Sequence, residues 1–195
     1  MSVCVCGRVG GDAHTPGLNP NSDADRIQVL SGAGTPALVA CVTRTRNSNE
    51  KIPLVRLPGS RLYATPYHPV KVEGQWVFPC DVGTTAVVDC DVVFNLLLAH
   101  GYSSMMIEGV ECVSLGHGLK GDVVGHDYFG NRQAIVADLE KMPGWTCGMV
   151  DLCAGDLQRD AKTNKVVAIR RHVCHAVKQV VRAENSRANV VVMSS

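Results

Sequence analysis

The chain has 195 residues, of which 46% are hydrophobic and 19% charged, and its formal net charge is +1. That length suffices for one domain with its own core, and the balance is that of a globular chain rather than a disordered one. A charge so close to zero gives no bulk attraction to nucleic acid or anionic lipid, so neither nucleic acid nor membrane is expected as a partner.

The first residues, MSVCVCGRVGGDAH, contain no basic stretch followed by a long apolar run, so no secretory signal is expected. Nor does any stretch approach 18 uninterrupted apolar residues. Nine cysteines are scattered without a Cys-x-x-Cys pair. Reduced thiols and a cytoplasmic location are the expectation, and a zinc ribbon is not. Residues 10–25, GGDAHTPGLNPNSDAD, are rich in turn formers, and 1–25 is expected to be a flexible leader.

Short runs rich in β-branched residues follow, at 26–30, 37–45, 52–57, 61–65, 70–74, 75–79, 85–98, 104–109 and 110–115. Pro58-Gly59, Glu73-Gly74 and Glu108-Gly109 supply tight turns between neighbours. Such a density of short strands predicts an all-β core, a sandwich or an irregular barrel, over 26–130.

After Gly130 the pattern changes, and 131–195 is expected to be a helix and strand extension. Ile135, Val136, Leu139 and Met142 have helical spacing, and Pro143-Gly144 stops that helix. A strand is expected at 165–169. A second helix is expected over HVCHAVKQVVRAE, residues 172–184, with Val173, Ala176, Val177, Val180 and Val181 on one face. His175, Lys178, Gln179 and Arg182 on the other face read as a solvated surface, since no aromatic residue interleaves them. The ending VVVMSS is an edge strand or a frayed tail.

Several residues carry chemistry. Thr65 and His68 stand three apart in RLYATPYHPVKVEGQWVFPC, residues 61–80. His100, His117 and His126, with Cys112 and Asp122 nearby, have donor types that suit zinc, but their spacing fits no finger or knuckle. Structural histidines are the preferred reading, with His117 and His126 the better candidates for a pocket or turn. Cys41, Cys80, Cys90 and Cys112 read as small buried hydrophobes. Trp76 and Phe78 read as core plugs. Arg44, Arg46, Lys51, Arg56 and Arg61 read as charges that protect sheet edges.

The segment 61–80, with its Thr65-Pro66-Tyr67-His68, resembles the central block of the Hint family, which includes inteins and the Hedgehog autoprocessing domain. TPYHPVKVEGQWVFPCDV (65–82), DVVFNLLLAHGYSSMMIEGVECVSLGHG (91–118) and VVGHDYFGNRQAIVADLEKMPGW (123–145) are similar to its Vint branch. The resemblance spans 26 to about 170 and implies a mainly β, horseshoe-like fold with a small α/β extension at the C-terminal end. It implies that a cysteine attacks the carbonyl before it, turning an amide into a thioester that falls to water or a thiol. The substrate is then the chain's own upstream polypeptide, and no cofactor is needed.

By the same resemblance, His68 would protonate the leaving nitrogen and the Thr65 hydroxyl would hold the bond bent. Cys4 or Cys6 lies nearest the expected nucleophile. Their surroundings depart from the family's first block, of which only Ala24-Asp25-Arg26-Ile27 is suggestive. Tyr102 stands about where many Hint domains carry a second His. Either the start was lost or remodelled, or the module is a non-catalytic, protein-binding Hint domain. A zinc-dependent enzyme is the remaining alternative. No His-Asn dipeptide occurs, so intein-type splicing is excluded and cleavage on the N-terminal side is what the framework supports.

Overall fold

Two long antiparallel ribbons frame the molecule. A computed structural model describes residues 27–46, 51–90 and 92–172. Strand β1 (Gln28–Leu30) leads into β2 (Pro36–Arg46), β3 (Lys51–Arg56) and β4 (Tyr63–Ala64). Then come β5 (Val70–Val72), β6 (Gln75–Val77), a single helical turn α1 (Pro79–Val82), β7 (Thr84–Asp89) and β8 (Val92–Leu98). β2 pairs with β8 from Val39↔Leu98 to Arg46↔Val92, and β3 pairs with β7 from Lys51↔Asp89 to Arg56↔Thr84. The run expected at 85–98 is therefore two strands in different sheets. Cys90, at their junction, is buried with Leu54 and Val93.

Next, β9 (Ser104–Ile107) and β10 (Val110–Val113) join β5 and β6 in a second sheet, ordered β6-β5-β10-β9. Its two hairpins turn on Glu73-Gly74 (φ 49° and 80°) and Glu108-Gly109 (φ 49° and 77°). Positive φ at both central residues matches the right-handed twist of the flanking strands, which is why these pairs close hairpins. Glu111 ties three strands of this sheet together. Its carboxylate accepts from Ser104 Oγ at 2.6 Å and faces Lys71 Nζ at 3.1 Å.

Helix α2 (Arg132–Leu139) is capped by Asn131, whose side chain accepts from the Ala134 amide. It buries Ile135 and Leu139. β11 (Met149–Leu152) then adds to β2 in parallel, from Met149↔Val42 to Leu152↔Thr45. β12 (Leu157–Arg159) and β13 (Val166–Ile169) form a separate hairpin. The largest apolar cluster unites Cys41, Leu97 and Leu115 with Ile135, Leu139, Val150 and Ile169. Each such buried aliphatic side chain contributes roughly 1.5–3 kcal/mol. The strand at 165–169 and the helix after Gly130 are as expected. β11 and β12 are additions, since MVDL and LQR carry little β-branched signal.

The mainly β expectation holds. Further local readings differ. Arg44 and Arg56, expected to guard sheet edges, lie on strands paired on both sides, β2 between β8 and β11 and β3 between β4 and β7. Trp76 and Phe78 are half-buried rather than core plugs. β6 is the edge of its sheet, so Trp76 lies beneath Lys71 Nζ, 5.5 Å from its ring centre. Phe78 meets Tyr67 edge-on at 5.8 Å. Cys80 is half-buried, whereas Cys41, Cys90 and Cys112 are buried as expected. The expected leader, the expected helix over 172–184 apart from His172, and the expected C-terminal strand or tail lie outside the described residues. Among the described residues, no helix is long and apolar enough to cross a membrane.

Candidate active site

β4 is only two residues long because the chain turns immediately after it. In Thr65-Pro66-Tyr67-His68 the His68 amide donates to the Thr65 carbonyl at 3.1 Å. Pro66 presets the first corner of that turn. The Cys80 amide donates to the Pro66 carbonyl at 3.1 Å and clips the turn to α1. Beyond Pro69, whose carbonyl accepts from the Val113 amide at 3.3 Å, β5 runs beside β10. Tyr67 thus faces solvent at 61% exposure, while His68 is driven inward to 4%.

Thr65 Oγ1 and His68 Nε2 are both buried without a hydrogen-bond partner among the described residues. An unsatisfied buried polar atom costs about 1–3 kcal/mol, so two within one turn single this turn out as the candidate site. Burial pushes the His68 pKa down to about 3, against a hydrogen bond with the Val113 backbone that favours the charged ring. Nε2 has no partner among the described residues, which leaves Nδ1 to meet the Val113 backbone. The neutral ring therefore keeps its proton on Nδ1 and presents a lone pair at Nε2.

A small cavity of about 20 Å³ lies against His68, lined also by Asn95, Val113, Ser114, Leu115, His117 and Phe129. Asn95 comes from β8, where alternation places it with Val93 and Leu97 on the buried face. The Leu115 amide donates to the Leu96 carbonyl at 2.8 Å and the Ser114 amide to the Ser103 carbonyl at 3.0 Å. These bonds fix the segment leading to His117. His117 Nδ1 accepts from the Leu119 amide at 3.0 Å. Burial, then the charges of His126 and Lys120, lower its pKa to about 4. His126 Nδ1 accepts from the Tyr128 and Phe129 amides at 3.2 and 3.0 Å, and burial lowers its pKa as well.

Of the sequence-predicted residues, Thr65 and His68 share one turn, and His117 lines the same cavity as His68. Cys4 and Cys6 lie outside the described residues. No three His, Cys, Asp or Glu side chains among the described residues converge as metal ligands would. Tyr102 donates its hydroxyl to the Pro36 carbonyl at 3.1 Å. Asn95 and Ser114 were not singled out. The available signal for Asn95 was an amide at a buried-face position of an apolar strand. A larger open groove of about 500 Å³, lined by residues including Arg56, Arg61, Thr84 and Glu108, shares no residue with the His68 cavity.

Comparison with known proteins is in line with this geometry. No curated protein matches the chain. The family model described as Vint, Hint-domain, matches residues 22–168, a span that holds β1 to β12, all of β13 but its last residue, and the His68 cavity. Over most of its length the chain therefore belongs to the Vint family of Hint domains, an autoprocessing type of fold.

Proposed function

We propose that this domain cleaves the peptide bond on the N-terminal side of a cysteine ahead of its β core, by an N-to-S acyl shift. Thr65 and His68 are the groups that receive that bond, and Cys4 or Cys6 supplies the thiol. The carrying observation is the pair of buried polar atoms, Thr65 Oγ1 and His68 Nε2, that have no partner among the described residues and lie in one turn.

The chemistry balances as an isomerisation. The thiol sulfur bonds to the carbonyl carbon, and the carbon–nitrogen bond breaks. His68 Nε2, neutral at neutral pH, takes the thiol proton and delivers it to the departing nitrogen. The Thr65 hydroxyl holds the peptide bent, which weakens amide resonance. Water or an added thiol then consumes the thioester. The substrate is the upstream polypeptide of the same chain.

A second reading, a non-catalytic Hint module that binds a protein partner, is favoured by one observation. Tyr102 stands about where many Hint domains carry a second His, and it uses its hydroxyl on backbone.

A reporter fused ahead of the full chain, treated with dithiothreitol or hydroxylamine, separates the two. Release from the wild type and not from His68→Ala supports autoprocessing. Equal absence of release from both supports the binding module.

A further inference from the structure

Two loops far apart in sequence bring a second imidazole to the cavity of His68. The His117 ring lines that cavity with its Nδ1 already engaged by the Leu119 amide at 3.0 Å. A neutral imidazole whose Nδ1 accepts carries its proton on Nε2. His68 has the opposite arrangement, with its lone pair at Nε2. The residues around one cavity therefore include an imidazole with a free acceptor nitrogen and an imidazole with a donor nitrogen. At about 20 Å³ the cavity has room for one oxygen atom, since a single water-sized probe needs roughly 10–15 Å³.

We propose that His117 is the hydrogen-bond donor for the carbonyl oxygen of the peptide bond that His68 serves. This rests on the autoprocessing reading above. As the thiol adds, that oxygen gains negative charge, and a fixed donor beside it stabilises the transition state more than the ground state. His117 transfers no proton and forms no bond. Its seat is built for the role. The Gly116 amide donates to the Phe129 carbonyl at 2.8 Å and the Gly118 amide to the Gly130 carbonyl at 3.0 Å, so the loop is clamped on both sides of the ring. A side chain at Gly130 would run into the His126 carbonyl at 2.8 Å, and the His117 ring lies in contact distance of the same position, Cε1 at 3.4 Å.

Two measurements on the full chain test this. The first reads the histidine tautomers by long-range ¹H–¹⁵N spectra at pH 7, with no cleavage required. The expected result is a neutral His117 protonated at Nε2 and a neutral His68 protonated at Nδ1. A His117 protonated at Nδ1, or charged, overturns the proposal.

The second is the rate of reporter release. His117→Ala should slow release by about 10²–10³-fold, the usual loss for one such donor. Its pH profile should keep the wild-type shape. His117→Gln, which retains an N–H donor, should recover part of the rate. Wild-type rates from His117→Ala alongside an inactive His68→Ala would overturn the role of His117 alone. No release from the wild type would overturn the autoprocessing reading and this one with it.

Discussion

Tyr128 and Ile169, on a loop and a strand 41 residues apart, meet at one atom. The Tyr128 hydroxyl and the Ile169 amide both donate to Asp138 Oδ2, at 2.9 and 3.1 Å. This carboxylate joins α2 to β13 beneath the loop that carries His126. Hydrogen bonds to a charged group contribute about 1.5–3 kcal/mol each. Replacing Asp138 by Ala should therefore cost about 2–4 kcal/mol in urea unfolding, and Tyr128→Phe about 1–2 kcal/mol. A loss under 0.5 kcal/mol for Asp138→Ala would show that the carboxylate is not a joint.

Acid should destabilise the domain before its carboxylates titrate. Unfolded imidazoles take up protons near pH 6.5. Folded His68 and His117 resist until about 3 and 4, because burial penalises their charged forms. Protonation thus favours the unfolded chain, so stability is full above pH 7 and falls as the pH drops. Between pH 7.5 and 5 the loss should be about 2 kcal/mol per ring, with His126 adding to it. His68→Gln should remove one ring's share of that fall. Identical pH dependence in the variant and the wild type would show that His68 is not held neutral.

Even an ion pair with two short contacts should contribute little here. Arg44 grips Asp151 with two contacts of 2.7 Å across the β2–β11 pair. Its two side chains are 22% and 48% exposed, so water and salt screen the pair. A double-mutant cycle with Arg44→Ala and Asp151→Ala should give a coupling of about 1 kcal/mol or less, smaller still in 1 M salt. A coupling above 2 kcal/mol would mean that the pair orients β11 on β2.

Gly144 should be intolerant of any side chain. Its φ is 90°, and a Cβ there would run into the Met149 carbonyl oxygen. The Met149 amide also donates to the Gly144 carbonyl at 3.1 Å, so the backbones cannot part without losing the start of β11. Gly144→Ala should cost about 2–4 kcal/mol, strain and clash together. Thermal unfolding within about 2 °C of the wild type would contradict this.

Much of the molecule was legible along the chain. Glu73-Gly74 and Glu108-Gly109 announce hairpins because few residue pairs adopt two positive φ values cheaply. Ile135 and Leu139 announce α2 because helical spacing collects apolar side chains on one face. The Thr65–His68 pair was visible in the same way, since a Pro turn at a strand end fixes its own geometry.

Other features depended on which strands met. Nothing local distinguishes Trp76 in an edge strand from Trp76 in a central one. Met149–Leu152 becomes a strand only because β2 offers it a parallel partner more than a hundred residues earlier. His68 and His117 are separated by 49 positions, yet they line one cavity because β10 pairs with β5 and the loop after β10 packs against β8. Local φ preferences and side-chain periodicity settled the turns, the helix and the strands other than β11 and β12. Long-range backbone pairing, whose loop-closure entropy is offset only by the core it assembles, decided which polar groups would share a buried pocket.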